Sequence, residues 1–289
     1  MSVAEAQRET RRGERSIPAR VPPPGRARRV PLWDIALFGA MLALVVAPSV
    51  IPFEPNRVDL SSMLQAPSLA HPLGTDENGR DSLARLVAGA RATLAIGLGG
   101  AALSVAIGAA LGALAGYLGG TLDVLIMRCV DFALAFPSLF AILLFTAFFS
   151  TGPWQLVVLI GITGWMAVAR LVRGSVRDLR QAPYVAAAHA LGASDARVIW
   201  RHLLPNTAGV LFVAALVQLN RAILTEATIS FLGMGIQPPD PTWGNLLIGA
   251  QNYLYSAPWL AIEPGLAITL TLLAVYQLGM RRAVAPLAR

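Results

Sequence analysis

The sequence contains no lysine, and all 23 of its basic residues are arginine. A P-loop ATP site and a Schiff-base enzyme both need a lysine, so neither can lie in this chain. The single cysteine, Cys129, excludes an internal disulfide and a multi-cysteine metal site. The three histidines at 71, 189 and 202 are too widely separated in the predicted topology to bind one metal. We therefore expect no metal site, no cofactor and no catalytic residues.

Charged residues are also scarce. They make up 13% of the chain, whereas 55% of its residues are hydrophobic, and the mean hydropathy is +0.60. These values are typical of a polytopic membrane protein. The net charge of +7 could indicate a nucleic-acid partner. However, the arginines cluster at the ends of apolar stretches without interleaved aromatic residues, so we expect no nucleic-acid binding.

The apolar stretches predict an all-α fold with six transmembrane helices. Residues 1–31 form a basic tail of disordered composition, and residues 32–52 are long enough to cross a bilayer of about 30 Å. A polar extracytoplasmic segment, 53–91, precedes a core of five further spans. Pro137 is expected to kink the third span. The predicted spans of the core are 92–118, 132–150, 153–172, 207–232 and 259–279, followed by a tail, 280–289.

The arginines also predict the orientation. Eight lie in the first 31 residues and six in 170–206, but only four lie between 53 and 91. By the positive-inside rule, both termini and the 170–206 region are cytoplasmic, whereas 53–91 and 233–258 face outward.

Residues 183–205 are too charged for lipid and are patterned as two short helices. Pro183 suits a first helical turn, and Gly192 can adopt the left-handed backbone that ends a helix. Ser194 can cap a second helix, which Leu204 and Pro205 are expected to stop. Such a pair, presented to the cytoplasm, suits contact with a soluble partner.

The second span carries small residues at every fourth position, which allow another helix backbone to approach closely. The contact could be packing within this chain, a subunit interface or the lining of a translocation path. The residues of this face are Gly108, Gly112, Gly116 and Gly120.

Arg221 and Glu226 are charged residues inside the fifth predicted span, where a charge is costly without water or a partner. They could line a polar pathway, or they could make packed structural contacts. Near the cytoplasmic side, Asp123 and Asp131 flank Arg128, and the simplest expectation is that the three neutralise one another.

Residues 183–205 resemble the EAA loop of ABC-importer permeases at Ala187, Ala188, Gly192, Leu204 and Pro205. Further segments are similar to the dipeptide, oligopeptide and nickel branch of these permeases, in the order of its six-span subunit. They include HPLGTDENGRD at 71–81, GARATL at 89–94, AGYLGGTLDVLIMRCVDFALAFPS at 115–138 and LTEATISFLGMGIQPPDPTWGNLL at 224–247.

This resemblance implies a MetI-like type I importer fold in a bacterial or archaeal inner membrane. It implies a permease, not an enzyme, that pairs with a homologous permease, two cytoplasmic ATPases and an extracytoplasmic solute-binding protein. The 183–205 loop would couple to the ATPases. The transported solute would be a di- or oligopeptide, or a related solute such as glutathione or a nickel complex.

The chain departs from the family pattern at three places. Ala186 occupies the glutamate position, His202 occupies the isoleucine position, and the usual acidic motif near the C-terminus is absent. An alternative of another class is a secondary transporter driven by an ion gradient, which would predict inverted repeats and paired intramembrane acids. The sequence shows no such repeat.

Overall fold

The computed structural model describes residues 54–149 and 152–284, together with Gly39. The predicted tail 1–31, the rest of the first predicted span 32–52, the loop residues Ser150 and Thr151 and the C-terminal residues 285–289 lie outside these ranges. The described part is helical and contains no β-strand, only an isolated bridge between Thr75 and Asp81.

Within the described ranges, ten helical segments follow in chain order after a 3₁₀ turn at Leu60–Ser62. We label them α1 (Ser82–Leu118), α2 (Gly120–Ala135), α3 (Ser138–Phe148), α4 (Pro153–Ile162), α5 (Trp165–Leu179), α6 (Pro183–Ala190), α7 (195–206), α8 (Ala208–Phe231), α9 (Trp243–Leu246) and α10 (Trp259–Val284). A second 3₁₀ turn, Ala250–Tyr253, lies between α9 and α10.

The first of these helices begins ten residues before the predicted second span. The Asp81 carboxylate caps it by accepting a hydrogen bond from the Ala84 backbone N–H at 2.8 Å. It ends at Gly119, whose φ is +67°. At 37 residues α1 is about 55 Å long, so it extends beyond a bilayer core of about 30 Å.

Two helix pairs are sharply bent. The axes of α2 and α3 meet at 73° around Pro137, the predicted kink, because proline lacks an N–H and holds the preceding Phe136 in an extended conformation. The axes of α4 and α5 meet at 43° around Thr163 and Gly164. The sequence prediction of one continuous fourth span did not include this second bend.

Three described helices, α1, α8 and the Trp259–Gly279 part of α10, are long and apolar enough to cross a membrane. Counting each bent pair as one span gives up to five. Apart from the earlier start of α1, the bounds differ from the predicted ones mainly in the bent pairs, where α2 begins at Gly120 and α5 continues to Leu179. The six-span topology, which includes the span at 32–52, stays a prediction.

Small residues of α1 allow α5 to pack directly against its backbone. A Cβ added at Gly108, Gly112 or Gly116 would lie 2.5, 2.5 or 2.6 Å from an atom of α5. The predicted close contact is therefore made within this chain, between α5 and the three glycines Gly108, Gly112 and Gly116. Gly120 does not belong to it, because it begins α2 with φ +58° and no atom lies within 4 Å of the Cβ position.

We expect Gly112→Ala to lower the melting temperature of the purified protein. The new methyl group would meet the Ala169 carbonyl oxygen at 2.5 Å, and overpacking of this kind costs about 1–3 kcal/mol. Gly174→Ala is the matched control, because this helical glycine has open space at its Cβ position. Thermal unfolding of both variants in the same lipid measures the difference. Equal melting temperatures would contradict the close contact.

Candidate functional site

The 183–205 segment folds as two helices joined by a tight turn. Pro183 occupies the first turn of α6, and Gly192 ends that helix with φ +80°. The N–H of Ala193 donates to the Ala188 carbonyl at 3.0 Å, and the N–H of Gly192 donates to the His189 carbonyl at 2.9 Å. This pair of bonds is the Schellman motif, which needs a left-handed residue at the position of Gly192.

The second helix, α7, is capped as predicted but does not stop where predicted. The Ser194 hydroxyl accepts from the Arg197 backbone N–H at 3.4 Å. The turns then widen into a π-helical stretch, Val198–Leu203, and helical residues continue through Pro205 to Asn206. The expectation that Leu204 and Pro205 stop the helix is therefore wrong. In a regular α-helix the ring of Pro205 would clash with the carbonyl group four residues earlier. The wider π-helical turn avoids this clash, so the helical backbone continues through Pro205.

One face of the helix pair is buried against α1, α5 and α8. Apolar residues of α6 and α7 form a cluster with the ends of α1 and α5. Because the full burial of a valine, leucine or isoleucine side chain contributes about 1.5–3 kcal/mol, the pair is attached to α1 and α5 as a unit. The buried members are Val185, Ala188, Val198, Ile199 and Leu203 from the pair, Ala113 and Tyr117 from α1, Val168, Val172 and Val176 from α5, and Ala214 from α8.

A polar contact at the end of α1 holds both helices of the pair. The Tyr117 hydroxyl donates to Asp195 Oδ1 at 2.6 Å, at the start of α7. The same hydroxyl oxygen lies 3.0 Å from Nε2 of His189 in α6, and it accepts from that nitrogen because its own proton is directed to Asp195. The Arg180 guanidinium lies 5.6 Å from the centre of the Tyr117 ring. We call Tyr117, His189 and Asp195 the tyrosine lock.

The opposite face of the pair carries exposed apolar side chains. Leu191, at the turn, is 89% exposed, and Trp200 of α7 is 66% exposed. Four arginines of α5, α7 and the segment between α5 and α6 are also exposed, namely Arg177, Arg180, Arg197 and Arg201.

The residues that match the EAA pattern are distributed over both faces. Ala188 is buried in the cluster with α1 and α5, whereas Gly192 lies at the exposed turn. Ala186 lines a cavity of about 560 Å³ beside Tyr117 and Arg180, in the position where the family carries a glutamate. Of the remaining matches, Ala187 and Pro205 are exposed and Leu204 is partly buried, as is His202, which occupies the isoleucine position.

Arg221 joins the two bends of the chain. One terminal nitrogen, Nη2, donates to the Ser138 hydroxyl at 2.8 Å, just after the Pro137 bend, and to the Thr163 carbonyl at 2.9 Å, at the other bend. The break at Thr163 leaves helix carbonyls without partners in their own helix, and the guanidinium satisfies one of them. These are the packed contacts that the sequence left open as an alternative to a pathway role.

Glu226 lies in a different environment from Arg221. Its side chain is completely buried, and its Oε1 accepts from the Ser230 hydroxyl at 2.7 Å. Glu226 therefore lies in the packed interior of the described chain, and its place in a translocation path stays a prediction.

The acidic residues of α2 pair with α5 instead of Arg128, contrary to the sequence expectation. Asp123 accepts two hydrogen bonds from Arg173, at 2.5 and 2.6 Å, and Asp131 pairs with Arg170. Two-point pairing of a guanidinium with a carboxylate fixes orientation as well as charge. These ion pairs connect α2 to the helix that bears the 183–205 pair.

A family model matches residues 108–283, which include α5, the helix pair, α8 and most of α10. Its description is the binding-protein-dependent transport system inner membrane component. The chain belongs to this family. It is therefore a permease subunit of a binding-protein-dependent ABC importer in a bacterial membrane, and it is not itself an enzyme. This membership decides against the secondary-transporter alternative.

Curated relatives cover nearly the whole chain. A candidate peptide permease of Brucella suis is 37% identical over 287 residues, 96% of this chain and 95% of its own length. A second Brucella suis protein, a candidate peptide transport permease, is 38% identical over 88% of this chain and 86% of its own length. The glutathione transport permease GsiD of Pectobacterium atrosepticum is 39% identical over 83% and 81%, respectively.

A solved structure shares the fold. A chain of the inward-facing MetNI methionine ABC transporter superposes with a TM-score of 0.56 and 21% identity, over 71% of this chain and 97% of its own. The MetI-like permease fold implied by the sequence is thereby confirmed. In this family the ATPase is a separate subunit, and the permease works with a second permease.

Sequence reasoning missed the tyrosine lock. It considered His189 only as a possible metal ligand. Tyr117 was given no role, although a hydroxyl at the end of an otherwise apolar, glycine-rich span was an available signal.

Proposed function

We propose that this subunit imports di- or oligopeptides, or a related small solute such as glutathione. The proposal rests on the names of relatives that match more than four fifths of the chain. It would form the translocation path with a homologous permease and receive its solute from an extracytoplasmic binding protein.

We further propose that the helix pair α6–α7 faces the cytoplasm and docks on an ATPase subunit. The observation that carries this proposal is the tyrosine lock, in which one hydroxyl on α1 contacts both helices of the pair. A push on the exposed face at Leu191 and Trp200 would then be transmitted to α1 as a rigid movement. A flexible loop would not transmit this movement to α1.

The orientation predicted from the distribution of arginines supports this arrangement. The arginine-rich 170–206 region would be cytoplasmic, and the polar residues 54–81 and the loop before α10 would face outward. The exposed arginines around the pair would then match an acidic border on the ATPase surface.

Reconstitution tests the proposed function. The chain is purified with the permease, ATPase and binding protein encoded beside it, and ATP hydrolysis and uptake are measured in proteoliposomes. We expect binding protein loaded with peptide to stimulate both. Stimulation by a solute outside the peptide and glutathione class would replace the proposed substrate. The transport mechanism itself would be contradicted if no ATPase co-purified and uptake followed a proton or sodium gradient.

A further inference from the structure

Arg221 lies deep in the span α8, on a helix face that the rest of the described chain leaves open. At 1.5 Å per residue it is about 20 Å from the start of α8 and about 15 Å from its end. Residues spaced by three and four positions share one face of a helix. Half-buried Arg221 shares this face with four exposed residues, namely Val217, Leu224, Thr228 and Phe231.

The contacts of Arg221 with the two bends use only part of its guanidinium. A guanidinium has five N–H donors, and Nη2 directs its two to the Ser138 hydroxyl and the Thr163 carbonyl. Within the described chain, Nη1 and Nε make no hydrogen bond, and neither is among the buried atoms that lack a partner. The donors of these two nitrogens therefore remain accessible to a ligand on the open face.

The positive charge of Arg221 is not neutralised within the described chain. Both of its acceptors are neutral, and no carboxylate of the described residues pairs with it. Glu226, the one acidic residue of α8, is completely buried and bonded to Ser230. A cation at this depth costs at least about 2.5–3.5 kcal/mol in lipid, so the open face suits a water-filled path or the second permease better than lipid.

We propose that Arg221 binds a carboxylate of the transported solute as the solute passes the middle of the membrane. This inference rests on the proposed function, because peptides and glutathione each carry a carboxylate. A guanidinium forms strong, charge-assisted hydrogen bonds with such a group. The contacts with Ser138 and Thr163 hold the guanidinium in place before the solute arrives, so less side-chain entropy is lost on binding.

A lipid phosphate does not fit this position. Head groups lie at the two ends of a span, and the nearer end of α8 is about 15 Å from Arg221 along the helix. The competing partner is a carboxylate of the second permease, which would neutralise Arg221 whatever solute is transported.

Uptake of a dipeptide and of its C-terminal amide tests the proposal, because the amide lacks only the carboxylate. The complete transporter is reconstituted in proteoliposomes, and the ratio of the two initial rates is measured for each variant. The preference of the binding protein is the same in every variant and cancels when ratios are compared. We expect Arg221→Gln to lower the peptide-to-amide ratio about tenfold, because only the peptide loses a charge-assisted hydrogen bond. Arg221→Lys keeps the charge and should retain most of the preference.

The matched control is Arg128→Gln, the same change at an exposed arginine of α2, and it should leave the ratio unchanged. Arg221→Met repeats the test if the glutamine variant does not assemble. Equal losses of peptide and amide uptake in the Arg221 variants would overturn the proposal. They would indicate a structural role or permanent pairing with the second permease.

A second measurement needs no transported solute. Leu224→Cys, in a Cys129→Ser background that removes the native thiol, places a cysteine one turn from Arg221 on the same face. Anionic and cationic methanethiosulfonate reagents are compared on the assembled transporter. We expect both to react, and the anionic-to-cationic ratio of rates to fall about fivefold when Arg221→Gln is added.

The labelling separates the failure of the site from the failure of the proposed function. An unreactive Cys at position 224, or a ratio of rates that does not respond to Arg221→Gln, would overturn the site. If the transporter imports neither peptide nor glutathione but the labelling responds as expected, the proposed substrate is wrong and the site for an anionic group is supported.

Discussion

Gly192→Val is expected to reduce ATP-driven uptake by about tenfold while leaving the chain inserted in the membrane. Gly192 has φ +80°, a conformation that costs a residue with a Cβ about 1–2 kcal/mol and a β-branched residue more. The turn would relax, and the Schellman bonds that fix α7 relative to α6 would be lost. Uptake and ATP hydrolysis in proteoliposomes measure the effect, and hydrolysis should fall less than uptake.

The control for this variant is Gly192→Asn. No atom lies within 4 Å of the Cβ position of Gly192, so a side chain there meets no steric barrier and only the backbone conformation matters. Asparagine tolerates the left-handed region, so this variant should retain most of the uptake. If valine transports normally, or if asparagine is as defective as valine, the turn is not the element that sets the geometry of the pair.

Tyr117→Phe is expected to lower uptake about fivefold with little loss of folded protein. The change keeps the ring, its apolar packing and its contact with Arg180, but it removes the hydroxyl that joins His189 and Asp195. Asp195 is exposed, so water replaces part of the lost bond and the net cost is about 1 kcal/mol. The measurement is the number of solute molecules imported per ATP hydrolysed.

Tyr184→Phe provides the comparison for Tyr117→Phe. It removes a hydroxyl from the same helix pair, at a side chain that is 38% exposed, and should leave uptake per ATP unchanged. An unchanged ratio for Tyr117→Phe would show that the hydroxyl does not transmit the movement. Equal losses of uptake per ATP in both variants would indicate a general effect on the helix pair and not a specific role of the tyrosine lock.

Much of the helix pair could be predicted from the sequence because its signals are local. Pro183, Gly192 and Ser194 each act on backbone within a few residues of themselves, and the structure uses them at the start, the turn and the cap. The kink at Pro137 follows for the same reason. The exception is Pro205, which was expected to end α7. The helix continues to Asn206 because the turns before Pro205 widen into a π-helix.

The parts that the sequence could not predict depend on distant contacts. Tyr117 lies 72 and 78 positions from its two partners in the lock, and Arg221 lies 83 and 58 positions from Ser138 and Thr163. Without a three-dimensional arrangement, nothing in the spacing of these residues indicates the contacts. The same limit applies to the Asp123–Arg173 pair, for which the nearby Arg128 seemed the simpler partner.

Site-specific photo-crosslinking at position 191 tests most directly whether the helix pair docks on an ATPase subunit. A photoreactive residue replaces Leu191, which is 89% exposed at the turn, and the control replaces Phe132, which is 84% exposed on α2. After irradiation of the assembled transporter in membranes, we expect a covalent adduct with the ATPase from position 191 and none from position 132. The absence of an ATPase adduct at position 191, or equal adducts at both positions, would contradict docking through the helix pair.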